Sequence, residues 1–137
     1  MKKLLILFLI PFLSFSQELF NSQSIYDGDG ELYDLSELRD ANVNFYDTDY
    51  DSFLTQSWLE NTKLTLPASL DVDGVFFDSV AVRYKGNSTF YIPYTLGNPK
   101  KPYNIDFNDY DSNQDFMGYN KLKLANTLFD PTCRKEI

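Results

Sequence analysis

Apolar and polar residues alternate along several short segments of the chain, which is the period of a half-buried β-strand. Asp73-Gly74 lies between two of these segments, and this dipeptide favours a two-residue hairpin turn. The sequence therefore predicts an antiparallel hairpin at the centre of the chain, with further strands before and after it. The alternating segments are 42–46, 68–72, 80–85, 101–107 and 121–124.

A helical period appears between the first two strands. Phe53, Leu54 and Trp58 recur at helical spacing, which predicts a short amphipathic helix over about 52–60. Asp51 or Ser52 is the expected N-cap, because a short polar side chain can accept a hydrogen bond from the first helical turn.

Three other segments complete the prediction. Residues 86–99 are rich in Gly, Asn, Ser and Pro and are expected to form a loop, and 109–115 are expected to form a polar one. Asp130-Pro131 predicts the start of a helix, since Asp is a good N-cap and Pro is favoured in the first turn. The sequence stops about two turns later, so we expect the chain to be the front part of a longer protein.

The first residues have the pattern of an export signal. Lys2 and Lys3 precede the apolar run 4–13, and small polar residues follow up to Ser16. The run is too short to span a bilayer, which needs about 20 apolar residues. We therefore expect 1–16 to be a signal peptide, 17–40 a flexible leader and 41–137 the folded part. The protein is expected to be secreted or on the surface of a bacterium, and not membrane-spanning after signal removal.

Composition and charge remove several classes of function. The 137 residues are 43% apolar and 17% aromatic, enough to bury the core of one modest domain. The net charge of −8 disfavours nucleic acid as a partner, because an acidic surface repels phosphates. The absence of His excludes imidazole-based catalysis and zinc sites that need imidazole, and a single cysteine, Cys133, excludes an internal disulfide.

Acidic runs raise the question of calcium. An EF-hand loop that begins at Asp109 would need Gly at position 114 and a carboxylate at position 120, where this chain has Gln114 and Asn120. Solvated acidic turns are the better interpretation, so no metal ligands are predicted. No Gly-rich nucleotide loop is present either.

Three cations in the strand region remain to be explained. Arg83 and Lys85 alternate with valines and are expected to share one strand face. Lys101 has the parity of the apolar residues that follow it, so it needs a counter-charge or a bound anion. Glu136 is a possible partner, and kinases use such a lysine–glutamate pair to grip nucleotide phosphates. The alternative is a rim lysine whose ammonium extends to water.

Several segments together resemble a known family. Val80-Ala81-Val82-Arg83-Tyr84-Lys85-Gly86-Asn87-Ser88 resembles the "V-x-V-R-[FY]-K-G-N-S" signature of the spore coat protein H (CotH) kinase family. Three further segments resemble the Lys-Lys-rich strand, the "G-x-x-K-L-x-L-x-N" stretch and the "D-P-[ST]" helix start of that family, in the same order. These segments are 100–107, 118–126 and 130–132.

The resemblance implies a fold and a chemistry. The fold would be α+β, the β-rich N-terminal lobe of an atypical protein-kinase-like fold, truncated before the C-terminal lobe. The full-length protein would use ATP and a divalent metal, Mg or Mn, to phosphorylate proteins such as surface or coat proteins. By resemblance, Arg83, Lys85, Lys101 and Glu136 would face the nucleotide. Kinases carry their metal-binding and catalytic carboxylates in the C-terminal lobe, so this chain is expected to be inactive alone.

Two other functions fit the same residues. A secreted β-rich module that binds carbohydrate or surface proteins would use aromatic side chains such as Tyr91 and Tyr94 of the predicted 86–99 loop. A structural fragment of the cell surface without a ligand is the third possibility.

Overall fold

The computed structural model describes Leu32 and residues 38–128. The chain divides into two compact units, Met1–Glu37 and Leu38–Ile137, and all elements described below belong to the second. The predicted signal peptide, almost all of the predicted leader, Glu136 and the predicted helix after Asp130 lie outside the described residues.

The described part of the second unit is one antiparallel sheet with two helices, so the predicted α+β class is confirmed at that level. The sheet has the strand order β1-β2-β3-β4-β5 and curls into a half-barrel. Within the described residues no helix has the length and apolarity needed to cross a bilayer. The elements are β1 (Ala41–Phe45), α1 (Tyr50–Leu59), β2 (Leu66–Val72), β3 (Val75–Tyr84), α2 (Ser88–Thr95), β4 (Tyr103–Asp106) and β5 (Lys121–Leu124).

The central hairpin forms as predicted. Val72 pairs with Val75, which leaves Asp73 and Gly74 as the two turn residues, with φ angles of 52° and 82°. Two positive φ angles define the turn whose twist matches that of antiparallel strands, and Asp-Gly adopts it readily. The backbone N–H of Gly74 also donates to Oδ1 of Asp71 at 3.0 Å, which fixes the turn.

One face of the sheet carries the core. Val82 lies opposite Ile105, and Tyr84 lies opposite Tyr103, so these four residues share that face. The helices cover one part of it, where Leu54, Tyr84 and Phe90 form a buried cluster. The loop before β5 covers another part, through ring contacts among Phe77, Phe107 and Phe116.

Helix α1 begins earlier than predicted. It starts at Tyr50 after Asp49, so the assignment of Asp51 or Ser52 as N-cap is wrong. The carboxylate of Asp47 accepts the backbone N–H of Asp49 at 2.8 Å, and the Asp49 carbonyl accepts the N–H of Phe53 at 3.2 Å. This local turn starts the helix one residue before Asp51, whose side chain is left available for another contact.

The predicted 86–99 loop is also wrong, because Ser88–Thr95 forms α2 despite Pro93 within it. A proline has no N–H for the carbonyl four residues earlier, which here belongs to Thr89. The side-chain amide of Asn126 donates to that carbonyl at 2.8 Å and so replaces the missing helical bond. Burial of Phe90 and Pro93 then stabilises a helix that the local composition disfavours.

Strand β4 is shorter than the predicted 101–107 segment. It begins at Tyr103, since Pro102 has no N–H to give to the ladder. The carbonyl of Pro102 still accepts the N–H of Lys85 at 3.1 Å, which extends the contact with β3. Lys101 therefore lies just outside the strand, next to the end of β3.

Candidate functional site

Two clefts flank helix α1. The first has a volume of about 480 Å³. The end of β3 forms one side of it, and α1 together with the segment after α1 forms the other. Arg83, Lys85 and Asn87 line the β3 side, and Trp58 and Lys63 line the other. The sequence motif around Arg83 and Lys85 thus forms one wall of a cavity.

The described residues that line the first cleft include three cations. Lys63, Arg83 and Lys85 all line it, and among the lining residues that the structure describes there is no Asp or Glu. A cleft with one sign of charge and low-dielectric walls concentrates counter-ions. Nη1 of Arg83 donates to the Tyr84 carbonyl at 3.3 Å, which restrains its guanidinium. The arrangement favours an anionic ligand, in a chain whose net charge is −8.

Trp58 connects α1 to the loop that follows β3. Its indole N–H donates to the Gly86 carbonyl at 2.8 Å, and its ring stacks on Phe90 with centroids 4.2 Å apart. Gly86 has φ +80°, and a Cβ there would lie 2.0 Å from Oγ1 of Thr89. A side chain at this position would therefore be strained and would force Thr89 or the backbone to move, so glycine is favoured there.

Lys101 lies at the second cleft, which has a volume of about 780 Å³. Its side chain is 7% exposed, and its ammonium donates to Oδ1 of Asp51 at 2.5 Å and to Oγ1 of Thr55 at 3.1 Å. The ammonium also lies over the rings of Tyr84 and Phe90, 5.0 Å and 5.8 Å from their centroids. The cation is thus held by one carboxylate, one hydroxyl and two aromatic faces.

The ionisation of this group follows from its contacts. Burial alone would raise the pKa of Asp51, but hydrogen bonds from Lys101 and Tyr84 outweigh it, and the Asp51 pKa is lowered. Burial and the hydrogen bond to Asp51 raise the pKa of Tyr84 well above its ordinary range. Burial likewise raises the pKa of Tyr103 to about 12. At neutral pH Asp51 is therefore a carboxylate, and Tyr84 and Tyr103 are neutral phenols.

The structure separates the residues that sequence analysis grouped. Arg83 and Lys85 line the first cleft, Lys101 lines the second, and Glu136 lies outside the described residues. Lys101 does point towards the apolar side and does have a counter-charge, which is Asp51. Sequence analysis missed Asp51 and Lys63, because no local pattern relates them to the strand cations.

Metal ligands are sparse in the described part of the chain. Residues 38–128 contain no group of three or more His, Cys, Asp or Glu that could hold a metal ion. In the acidic loop, the carboxylates of Asp111 and Asp115 accept backbone N–H groups of Asn113 and Gly118 at 3.0 Å and 2.7 Å. These carboxylates close turns.

Comparison with known proteins leaves function to be inferred from these residues. No family model, curated protein or solved structure matches the chain.

Proposed function

We propose that the chain is the nucleotide-binding N-terminal lobe of a secreted CotH-like atypical protein kinase, and that ATP phosphates bind in the first cleft. The observation that carries the proposal is the convergence of Lys63, Arg83 and Lys85 on one cavity of an acidic chain. The ordered motifs that resemble the family also support it, and two of these three cations, Arg83 and Lys85, belong to the first motif.

The types of cation suit a polyphosphate. The guanidinium of an arginine such as Arg83 binds phosphate through two parallel N–H bonds, and a lysine ammonium acts as a mobile point charge. Asn87 adds an exposed amide at the same rim, and Trp58 adds an aromatic wall beside it. We assign the phosphates to the cations and the nucleobase to the aromatic wall.

Lys101 takes a different role in this proposal. It is 7% exposed and already bonded to Asp51, so moving it to a phosphate would leave that carboxylate without its cation. We therefore assign phosphate contact to Arg83, Lys85 and Lys63, and assign to Lys101 the fixing of α1 against the sheet.

The implied cofactors fit the described residues unequally. The cations of the first cleft suit the phosphates of ATP, whereas residues 38–128 offer no ligand group for a divalent metal. We therefore propose nucleotide binding for this chain and derive no phosphoryl-transfer step from it. A protein substrate and a location outside the cell belong to the same proposal, and rest on the family resemblance and on the pattern of residues 1–16.

The proposal is tested by the fluorescence of Trp58, the single tryptophan of the chain, which lines the first cleft. Titration of the full chain with ATP, and separately with tripolyphosphate, is expected to change the emission with a saturating curve. Arg83→Gln and Lys63→Gln should each weaken binding about tenfold or more, because each removes a charged contact to phosphate.

Lys123→Gln is the matched control, since it removes an exposed lysine of β5 that does not line the first cleft. A response to ATP that is absent, or that Lys123→Gln weakens as much as Arg83→Gln does, would refute the proposal. If tripolyphosphate binds as well as ATP, the first cleft is an anion site, and the proposal that it binds a nucleotide is refuted.

A further inference from the structure

The second cleft differs from the first in its chemistry. It lies between α1 and the segment that follows α2, and its lining combines the hydroxyls of Ser52 and Thr55 with the amides of Gln56 and Asn98. Hydroxyl and amide groups both donate and accept hydrogen bonds. The cleft therefore offers both kinds of partner over a volume of about 780 Å³.

The described residues that line this cleft include one cation and two anions. Asp51 neutralises Lys101, and the remaining charged lining residue, Glu60, accepts a hydrogen bond from the amide of Gln56 at 2.8 Å. Among the described residues that line it, Lys101 is the only cation and is already paired with Asp51, which disfavours an anionic ligand. A ligand that suits this lining is polar and uncharged.

Tyr94 supplies an aromatic surface at the same cleft. Tyr94 is 39% exposed, and its ring stacks on Phe90 with centroids 6.0 Å apart and an interplanar angle of 14°. Phe90 is fully buried, so the Tyr94 ring rests on a fixed support. Tyr91 of the same helix is 53% exposed but stacks towards Trp58 and does not line the second cleft.

From these features we propose that the second cleft binds a neutral polysaccharide. A sugar residue has hydroxyls around its edge, which both donate and accept, and an apolar C–H face that packs on an aromatic ring. The hydroxyls and amides match the first property, and the supported ring of Tyr94 matches the second. The net charge of −8 further favours uncharged over acidic polysaccharides. This site is independent of the nucleotide proposed for the first cleft.

Affinity electrophoresis of the full chain tests the site. The native gels contain hydroxyethylcellulose, mixed-linkage β-glucan, glucomannan, arabinoxylan, soluble starch or glycol chitin, and one further gel contains dextran sulfate. We expect retardation in at least one neutral gel and none in dextran sulfate. Tyr94→Ala is expected to weaken the retarding interaction about tenfold, as loss of an aromatic anchor does.

Tyr91→Ala is the matched control, because it removes an exposed tyrosine from the same helix outside the cleft. Asn98→Ala, a substitution outside α2, is a second test and is also expected to weaken the retardation. The proposal is overturned if no neutral gel retards the chain, if only dextran sulfate does, or if Tyr91→Ala weakens retardation as much as Tyr94→Ala. The ATP response of Trp58 should persist in Tyr94→Ala, so this proposal and that for the first cleft fail separately.

Discussion

The ammonium of Lys101 lies 2.5 Å from Oδ1 of Asp51, a residue fifty positions earlier in the chain. The two side chains are unequally exposed, 7% for Lys101 and 57% for Asp51. The same carboxylate oxygen accepts the hydroxyl of Tyr84 at 2.5 Å. One carboxylate on the first turn of α1 thus binds the end of β3 and the segment just before β4, and fixes the helix that separates the two clefts.

Removal of Asp51 is expected to destabilise the fold more than removal of Lys101. Asp51→Ala leaves a nearly buried ammonium with Thr55 as its main remaining polar partner, and breaking buried ion pairs costs several kcal/mol. Water reaches the exposed carboxylate side, so we expect a loss of about 2 kcal/mol in the free energy of unfolding. Lys101→Met keeps the apolar stem and should cost less. Urea unfolding measures both, and a larger loss for Lys101→Met would contradict the assignment.

Acidification should weaken the same contact. Because the Asp51 pKa is lowered in the fold, its contribution is complete above the ordinary Asp pKa of about 3.9 and disappears as the pH falls through the lowered value. The difference in unfolding free energy between wild type and Asp51→Asn should therefore be constant near neutral pH and shrink below about pH 4. Asp73, whose pKa Arg39 lowers, titrates alike in both proteins and cancels. A difference that grows on acidification would contradict a lowered Asp51 pKa in the folded protein.

The strands were predictable because their signals are local. Alternation along 68–72 and 80–85 requires only a few neighbouring residues, and Asp73-Gly74 fixes the turn within two. Helix α2 was not predictable from its own sequence. Its Pro93 argues against a helix, and the compensating amide of Asn126 comes from 37 residues beyond the carbonyl that it binds.

The residues of the candidate sites also differ in how far the sequence could predict them. Arg83 and Lys85 were found because they occur within one motif and line one cleft. Their separation from Lys101 depends on α1 lying between the two clefts, which no spacing in the sequence encodes. In the sequence, Asp51 is a residue type that commonly caps helices. Only the folded chain shows that it is the counter-charge of Lys101, fifty residues away.

Gly86 is expected to tolerate substitution less well than Gly74. Both have φ near +80°, so alanine is strained at either position. A Cβ at Gly74 meets nothing within 4 Å, and the strain of about 1 kcal/mol should be the whole effect there. At Gly86 the Cβ would lie 2.0 Å from Oγ1 of Thr89, so the backbone or Thr89 must move. Unfolding in urea should show a clearly greater loss for Gly86→Ala, and equal losses would contradict the close packing.

Asn126 should contribute less to the free energy of unfolding in a variant whose residue 93 has a backbone N–H. The Asn126 side chain is buried and donates to the carbonyls of Thr89 and Lys100 at 2.8 Å and 3.1 Å. In Asn126→Ala both carbonyls lose this donor, and we expect a loss of about 2 kcal/mol.

Pro93→Ala supplies a backbone N–H for the Thr89 carbonyl. In that background, Asn126→Ala leaves only the Lys100 carbonyl without the donor that Asn126 provides. The cost should fall by about 1 kcal/mol, the net value of one hydrogen bond. A double-mutant cycle of urea unfolding measures this coupling and removes the packing change at Pro93 common to both arms. Asn113→Ala, in place of Asn126→Ala, is the control and should show no coupling to Pro93→Ala, since its carboxamide donates to Asp111 within the acidic loop and not to α2. Additive losses for Asn126 and Pro93 would show that the amide does not replace the bond that proline removes.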